Sequence, residues 1–214
     1  MNLRLRVPGD PWLYAFARAL LVTTVHVYGR VCVFGAGNLP ASGPAIVVAN
    51  HPSDVDPLLL GVAFPRTLHF MADVVQFRRG FVGPVIERLA AFPIHKGEPD
   101  RAALERALGL LAEGEVVVLF AEGDLYRRAD PTAFHSAVAF LAARSGAPVE
   151  PVAIVGAERI WAGGRVHWPW LRLTVGQPIS FHGARRGRAA YARMAEGLRD
   201  AVIRLHDDRS PHVC

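Results

Sequence analysis

Lysine is almost missing from this 214-residue chain: Lys96 is the only one, against 23 arginines. Drift toward arginine, as a GC-rich genome produces, accounts for the ratio and makes the one retained lysine conspicuous. Cysteine is scarce too. Cys32 and Cys214 stand far apart, and two residues build neither a disulfide framework nor a zinc spacing. A reducing compartment is the default that follows. No run of about 18 uncharged apolar residues occurs, so no transmembrane helix is expected. The nearest stretch, Trp12 to Tyr28, is interrupted by Arg18 and His26. Arg18 in its middle, with no clean small-residue cleavage site after it, also argues against a signal peptide. The chain has no G-x-S-x-G, which removes the serine-hydrolase elbow. Internal repeats, low-complexity tracts and linkers are absent as well.

What is present is a core and a surplus of positive charge. Apolar residues make up 51% of the chain, enough for one sizeable domain. The formal net charge is +5 and the isoelectric point is near 9.9. A basic, apolar chain suits an anionic partner: a lipid surface, a nucleic acid or a phosphorylated substrate. A soluble enzyme with a basic surface has the same balance. Nucleic acid is not expected, because neither a known binding motif nor a basic stripe interleaved with aromatics appears.

Asp10-Pro11 reads as a helix cap followed by proline at the first helical position. The helix to about Tyr28 is apolar on most sides and fits either a packed helix or one lying in a membrane interface, with Arg4, Arg6, Arg18 and Arg30 available to lipid phosphates. Short β-type runs follow at Val31–Phe34, Ala45–Ala49, Leu68–Met71, Phe92–Ile94, Val116–Phe120, Val149–Ile154 and Leu171–Val175. They alternate with helical patterns after Asp100, after Asp130-Pro131 and from about Gly187 to His206. This alternation predicts a single α/β domain over residues 31–214, with a mixed, largely parallel sheet flanked by helices, preceded by a membrane-associating helical segment over residues 1–30. Loops in such folds gather function at the carboxyl ends of the strands.

One such loop combines a histidine with two acids: Asn50-His51-Pro52-Ser53-Asp54-Val55-Asp56. A carboxylate that accepts one imidazole N–H fixes the ring tautomer and makes the other nitrogen more basic. His51 with Asp56 would be a general base without its own nucleophile, so the nucleophile would be a substrate hydroxyl. Asp54 is a rival partner. Asp56 as a helix cap beside a hydrogen-bonded turn histidine is the structural alternative. A metal at His51 would need a third ligand, and no metal spacing is visible.

The turn resembles the first motif, H-x-x-x-x-D, of the glycerolipid acyltransferases, the 1-acylglycerol-3-phosphate acyltransferases and their relatives. Further blocks follow in the family's order. Phe92-Pro93-Ile94-His95-Lys96-Gly97 resembles the second, Phe120-Ala121-Glu122-Gly123 the start of the third, and Val149-Glu150-Pro151-Val152 the fourth. The third block departs from the family's F-P-E-G-T-R-S after its glycine, and Arg127 and Arg128 stand a few positions beyond the missing arginine. Asp73 stands where many relatives carry lysine.

The resemblance implies catalysis by His51 and Asp56. It implies substrate binding by Asn50, Ser53, Lys96, Glu122, Gly123, Arg127, Arg128 and Pro151, with no metal and no cofactor. The acyl donor would be acyl-CoA or acyl-carrier protein. The acceptor would be a lyso-lipid, lysophosphatidic acid by default. The place would be a membrane lipid surface on the cytoplasmic side, held peripherally. Alternatives are an acceptor such as lyso-ornithine lipid, or a non-catalytic lipid-binding module on the same fold.

Overall fold

The computed structural model describes residues 11–28, 30–80, 82–95, 100–121, 132–162, 164–181, 183 and 187–208. In chain order its elements are α1 (Pro11–Tyr28), β1 (Val31–Phe34), β2 (Ala45–Asn50), α2 (Asp56–Ala63), β3 (Leu68–Asp73), α3 (Val74–Phe77), α4 (Val82–Arg88), β4 (Phe92–Ile94), α5 (Arg101–Ala112), β5 (Val116–Ala121), α6 (Thr132–Ser145), β6 (Val149–Val155), β7 (Trp161–Ala162), β8 (Arg165–Val166), β9 (Leu171–Val175) and α7 (Arg188–Asp207).

A strand that is apolar on both faces has to be covered on both. β2 and β5 are of this kind and lie side by side in parallel, Ala45 opposite Val116 and Asn50 opposite Ala121. They form the centre of a seven-stranded sheet with the order β1-β9-β6-β2-β5-β3-β4. The strands from β6 through β4 are parallel. β9 is antiparallel to β6, and β1 is parallel to β9, so these two run against the rest. This is the mixed, largely parallel sheet that the alternation predicts.

Each sheet face has its own core. One packs Val47, Ala49, Val118 and Phe120 against Leu59, Leu60 and Phe64 of the α2 region. The other packs Ile46, Val48, Val117 and Leu119 against α5, α6 and α7, through Ala107, Leu111, Leu141 and Leu198.

The prolines fall where the ladder has no use for their missing N–H. Pro93 lies on the edge strand β4 and is exposed. Pro151 is inside β6, but its neighbour β9 ends at Val175 and pairing resumes only at the Val149–Ile179 bridge. Across this break Gly176 N–H donates to the Pro151 carbonyl at 2.8 Å.

α1 both packs and presents apolar side chains. The Tyr14 hydroxyl donates to the Arg66 carbonyl at 3.3 Å and accepts the Leu68 N–H at 3.1 Å. Arg18 Nε reaches the Gly61 and Phe64 carbonyls, both at 3.1 Å, at the carboxyl end of α2. A cation there suits the negative end of the helix dipole. Trp12, Phe16 and Leu20, four residues apart on one face, remain exposed. Among the described residues no helix is long and apolar enough to cross a membrane.

Cys32 on β1 is buried.

Candidate active site

His51 is the first residue past the carboxyl end of β2, the strand at the heart of the sheet. The chain turns at once. Asp56 N–H donates to the Ser53 carbonyl at 3.1 Å, and α2 starts at Asp56 with Pro57 in its first turn. The helix cap is Val55, without a side-chain bond, so Asp56 is not the cap that its place before a proline suggested. Its carboxylate turns backward instead. Oδ2 lies 2.8 Å from His51 Nδ1 and accepts the Ser53 backbone N–H at 2.8 Å. Asp56, not Asp54, is therefore the partner of His51.

The two members of the pair differ in exposure. The Asp56 side chain is wholly buried, while that of His51 is 31% exposed. Asp56 Oδ1 is buried and meets no hydrogen-bond partner among the described residues. Burial pushes the Asp56 carboxyl above the usual carboxylate range, and the bonds from His51 and Ser53 pull it back. Ionised, Asp56 takes the Nδ1 proton of His51 as a hydrogen bond and leaves Nε2 with its lone pair.

Two contacts fix the ring and its strand. The imidazole stacks on Phe120, centroids 4.2 Å apart and planes inclined by 18°. Phe120 is stacked in turn on Phe70 at 5.9 Å. The Asn50 side chain joins β2 to β6 in both directions: Nδ2 donates to the Ile154 carbonyl and Oδ1 accepts the Ile154 N–H, each at 2.7 Å. A histidine on a stacked ring, beside a buried acid and after a clamped strand end, is preorganised to accept a proton at Nε2.

Of the residues singled out in the sequence, the structure brings together Asn50, His51, Ser53 and Asp56. Asn50 acts through its clamp and Ser53 through its backbone. Pro151 is not with them. Its ring lies beside Gly176, next to Leu205 of α7, on the sheet face away from α2. Lys96, Glu122, Gly123, Arg127 and Arg128 lie outside the described residues. Asp73 ends β3 at the same sheet edge as His51, and its Oδ1 accepts the Val75 N–H at 2.9 Å as the cap of α3. Phe120 was legible as part of a motif but not as the shelf for His51. The one signal in the sequence was that both apolar runs, Ala45–Ala49 and Val116–Phe120, end in polar clusters. No group of three or more His, Cys, Asp or Glu side chains that could hold a metal occurs among the described residues.

The same spacing recurs at the end of β4. His95 Nδ1 lies 2.8 Å from Asp100 Oδ2. Here the histidine is exposed, and Asp100 caps α5 by accepting the Ala103 N–H. That bond, with the His95 N–H and ring, holds the Asp100 carboxyl down at about 2. Spacing is common to both pairs; a buried acid belongs only to His51–Asp56.

Known proteins resemble this chain in sequence and in fold. Residues 30–155 match the model of the Acyltransferase family. A 1-acyl-sn-glycerol-3-phosphate acyltransferase of Bacillus subtilis is 26% identical over 171 residues, covering 78% of this chain and 82% of that protein. A chloroplastic 1-acyl-sn-glycerol-3-phosphate acyltransferase of Arabidopsis thaliana is 24% identical, covering 88% of this chain and 56% of the plant protein. The crystal structure of the 1-acyl-sn-glycerophosphate acyltransferase PlsC from Thermotoga maritima superposes with a TM-score of 0.63 at 24% identity, over 92% of this chain and 84% of that one. The structural likeness bears on the fold.

Proposed function

The chain belongs to the acyltransferase family, and from that premise we propose that it moves a fatty acyl group from acyl-CoA or acyl-carrier protein to the hydroxyl of a lyso-lipid, lysophosphatidic acid by default. The observation that carries this is the His51–Asp56 contact of 2.8 Å, with the acid buried and the imidazole open to solvent. The acceptor hydroxyl gives its proton to His51 Nε2 as its oxygen bonds to the thioester carbonyl carbon. Collapse of the tetrahedral intermediate breaks the carbon–sulfur bond, and the imidazolium returns the proton to the departing thiolate. Asp56 holds the tautomer and stabilises the imidazolium between the two steps. The chemistry calls for no metal or cofactor beyond the co-substrate. Lys96, Glu122, Gly123, Arg127 and Arg128 are proposed as substrate contacts on the family resemblance alone. The exposed Trp12, Phe16 and Leu20 support peripheral work at a membrane lipid surface; the cytoplasmic side is proposed on the family resemblance alone.

One observation favours a second acceptor. Asp73 puts a carboxylate at the sheet edge that carries His51, where many relatives of the resembling family carry lysine. An acceptor without a phosphate, such as lyso-ornithine lipid, is compatible with that acid. The experiment is release of CoA from palmitoyl-CoA over a panel of lyso-lipid acceptors, with products identified by mass spectrometry. His51→Ala is expected to lower turnover on the order of 10³-fold. Turnover with lysophosphatidic acid supports the default acceptor. Turnover only with phosphate-free acceptors supports the second. No turnover with any acceptor, from palmitoyl-CoA or from a palmitoyl-acyl-carrier protein offered in its place, leaves a lipid-binding module on this fold.

A further inference from the structure

The sheet edge that carries His51 also carries a ridge of large apolar side chains outside the family blocks. Val166, Trp168 and Trp170 alternate along the segment that leaves β8 and enters β9, and are 52, 59 and 64% exposed. Alternate residues of an extended segment share one side. The segment is held in place at several points. Its hairpin continues past β8, where His167 N–H donates to the Ile160 carbonyl at 2.8 Å. The Arg30 guanidinium donates to the Trp168 carbonyl. Leu171 N–H donates to the Arg30 carbonyl at 2.7 Å. At Gly156 (φ +94°) a side chain would begin 2.3 Å from the Trp170 carbonyl oxygen, so only glycine lets the two backbones come this close. Gly156 is two residues past Ile154, the residue that Asn50 clamps beside His51. The ridge is thus anchored next to the catalytic turn.

Its charge is net positive. Arg30, Arg159 and Arg165 are exposed around it, and so is one acid, Glu158, which lies 3.4 Å from Arg159. From Arg159 through Ala195 the sequence contains no aspartate or glutamate. Tryptophan favours the boundary between headgroups and acyl chains, and arginine favours anionic headgroups.

We infer that Val166, Trp168 and Trp170 form a second membrane contact, apart from α1, that seats the His51 edge on an anionic bilayer. The inference rests on the lyso-lipid reading of the site, because it explains how an acceptor held in a bilayer meets His51. A lipid surface fits better than a protein partner, because the charge around the apolar ridge is net positive, three exposed arginines against one exposed acid, Glu158, which pairs with Arg159.

The test is co-sedimentation of the full chain with vesicles of phosphatidylcholine alone and of phosphatidylcholine with phosphatidylglycerol. Trp168→Ser with Trp170→Ser is expected to weaken binding to the anionic vesicles roughly tenfold, with α1 retaining the remainder. Trp168→Phe with Trp170→Phe should keep most of it. Arg165→Glu should weaken binding only where phosphatidylglycerol is present. Thermal melting checks that each variant folds, and a variant that does not fold is replaced by the single Trp168→Ser or Trp170→Ser. Unchanged partition of the folded serine variant overturns the inference. So does a shift in oligomeric state without a change in vesicle binding, which would assign the ridge to a second copy of the chain. Tryptophan-dependent vesicle binding by a chain that turns over no acceptor keeps this surface and removes the lyso-lipid reading. Turnover of a water-soluble acceptor by the serine variant at the wild-type rate, together with lost vesicle binding, supports both.

Discussion

Asp56 and Glu150 are both fully buried acids, and their surroundings set them apart. Asp56 has an imidazole and a backbone N–H on one oxygen. Neither Glu150 oxygen meets a hydrogen-bond partner among the described residues, and burial pushes that carboxyl from 4.5 up to about 7. The unfolded chain then releases this proton at lower pH than the folded one. Below about 4.5 both states hold it and Glu150 costs nothing in charge; as pH rises to about 7 the unfolded state gains. The full loss, roughly 3 kcal/mol at 1.36 kcal/mol per pH unit, is present above that window. Glu150→Gln is therefore expected to stabilise the protein at about pH 8 and to have little effect at about pH 4, as measured by urea denaturation at the two pH values. At this scale the sequence revealed types and spacings but not burial. His51–Asp56 and His95–Asp100 have one spacing, and only the folded sheet shows which acid is sealed off from water. Glu150 read as one polar letter in an apolar strand, with nothing to tell its face.

Elements were more legible than side chains. Every apolar run of the sheet appears as a strand within two residues of its expected ends, because β2, β5 and β6 are buried on both faces and continuous hydrophobicity marks them. α3, α4 and the β7–β8 hairpin did not register. Four to seven helical residues, or strands of two, are too short to show a period. Strand order was not legible either, since nothing local in Leu171–Val175 records that it returns antiparallel beside β6. Long-range joints such as the Asn50 clamp are invisible for the same reason. The clamp satisfies both backbone groups of Ile154, 104 residues away. Asn50→Ala would leave an N–H and a carbonyl unpaired in the interior, at a cost of about 2–4 kcal/mol. Thermal melting is expected to fall by roughly 5–10 °C for a chain of this size.

For the whole molecule, the surplus of arginine and the outward apolar side chains belong to one arrangement. α1 is fixed to the domain by Tyr14 and Arg18 and still presents Trp12, Phe16 and Leu20. Replacing these three with serine should leave the melting temperature nearly unchanged, because they are exposed already. Vesicle flotation should fall roughly tenfold. Unchanged flotation of the folded variant would mean that the packed half of the helix is its whole role. The sequence left packing and membrane contact open, singly or together, because a helix apolar on most sides satisfies both.

The attachment of α1 has a mechanical side. Arg18 grips the carbonyls at one end of α2, and Asp56 is the first residue at the other end. The eight residues between span about 12 Å, a stiff rod of little more than two turns. Any displacement of α1 against the domain is therefore delivered, through one lever, to the carboxylate that aims His51.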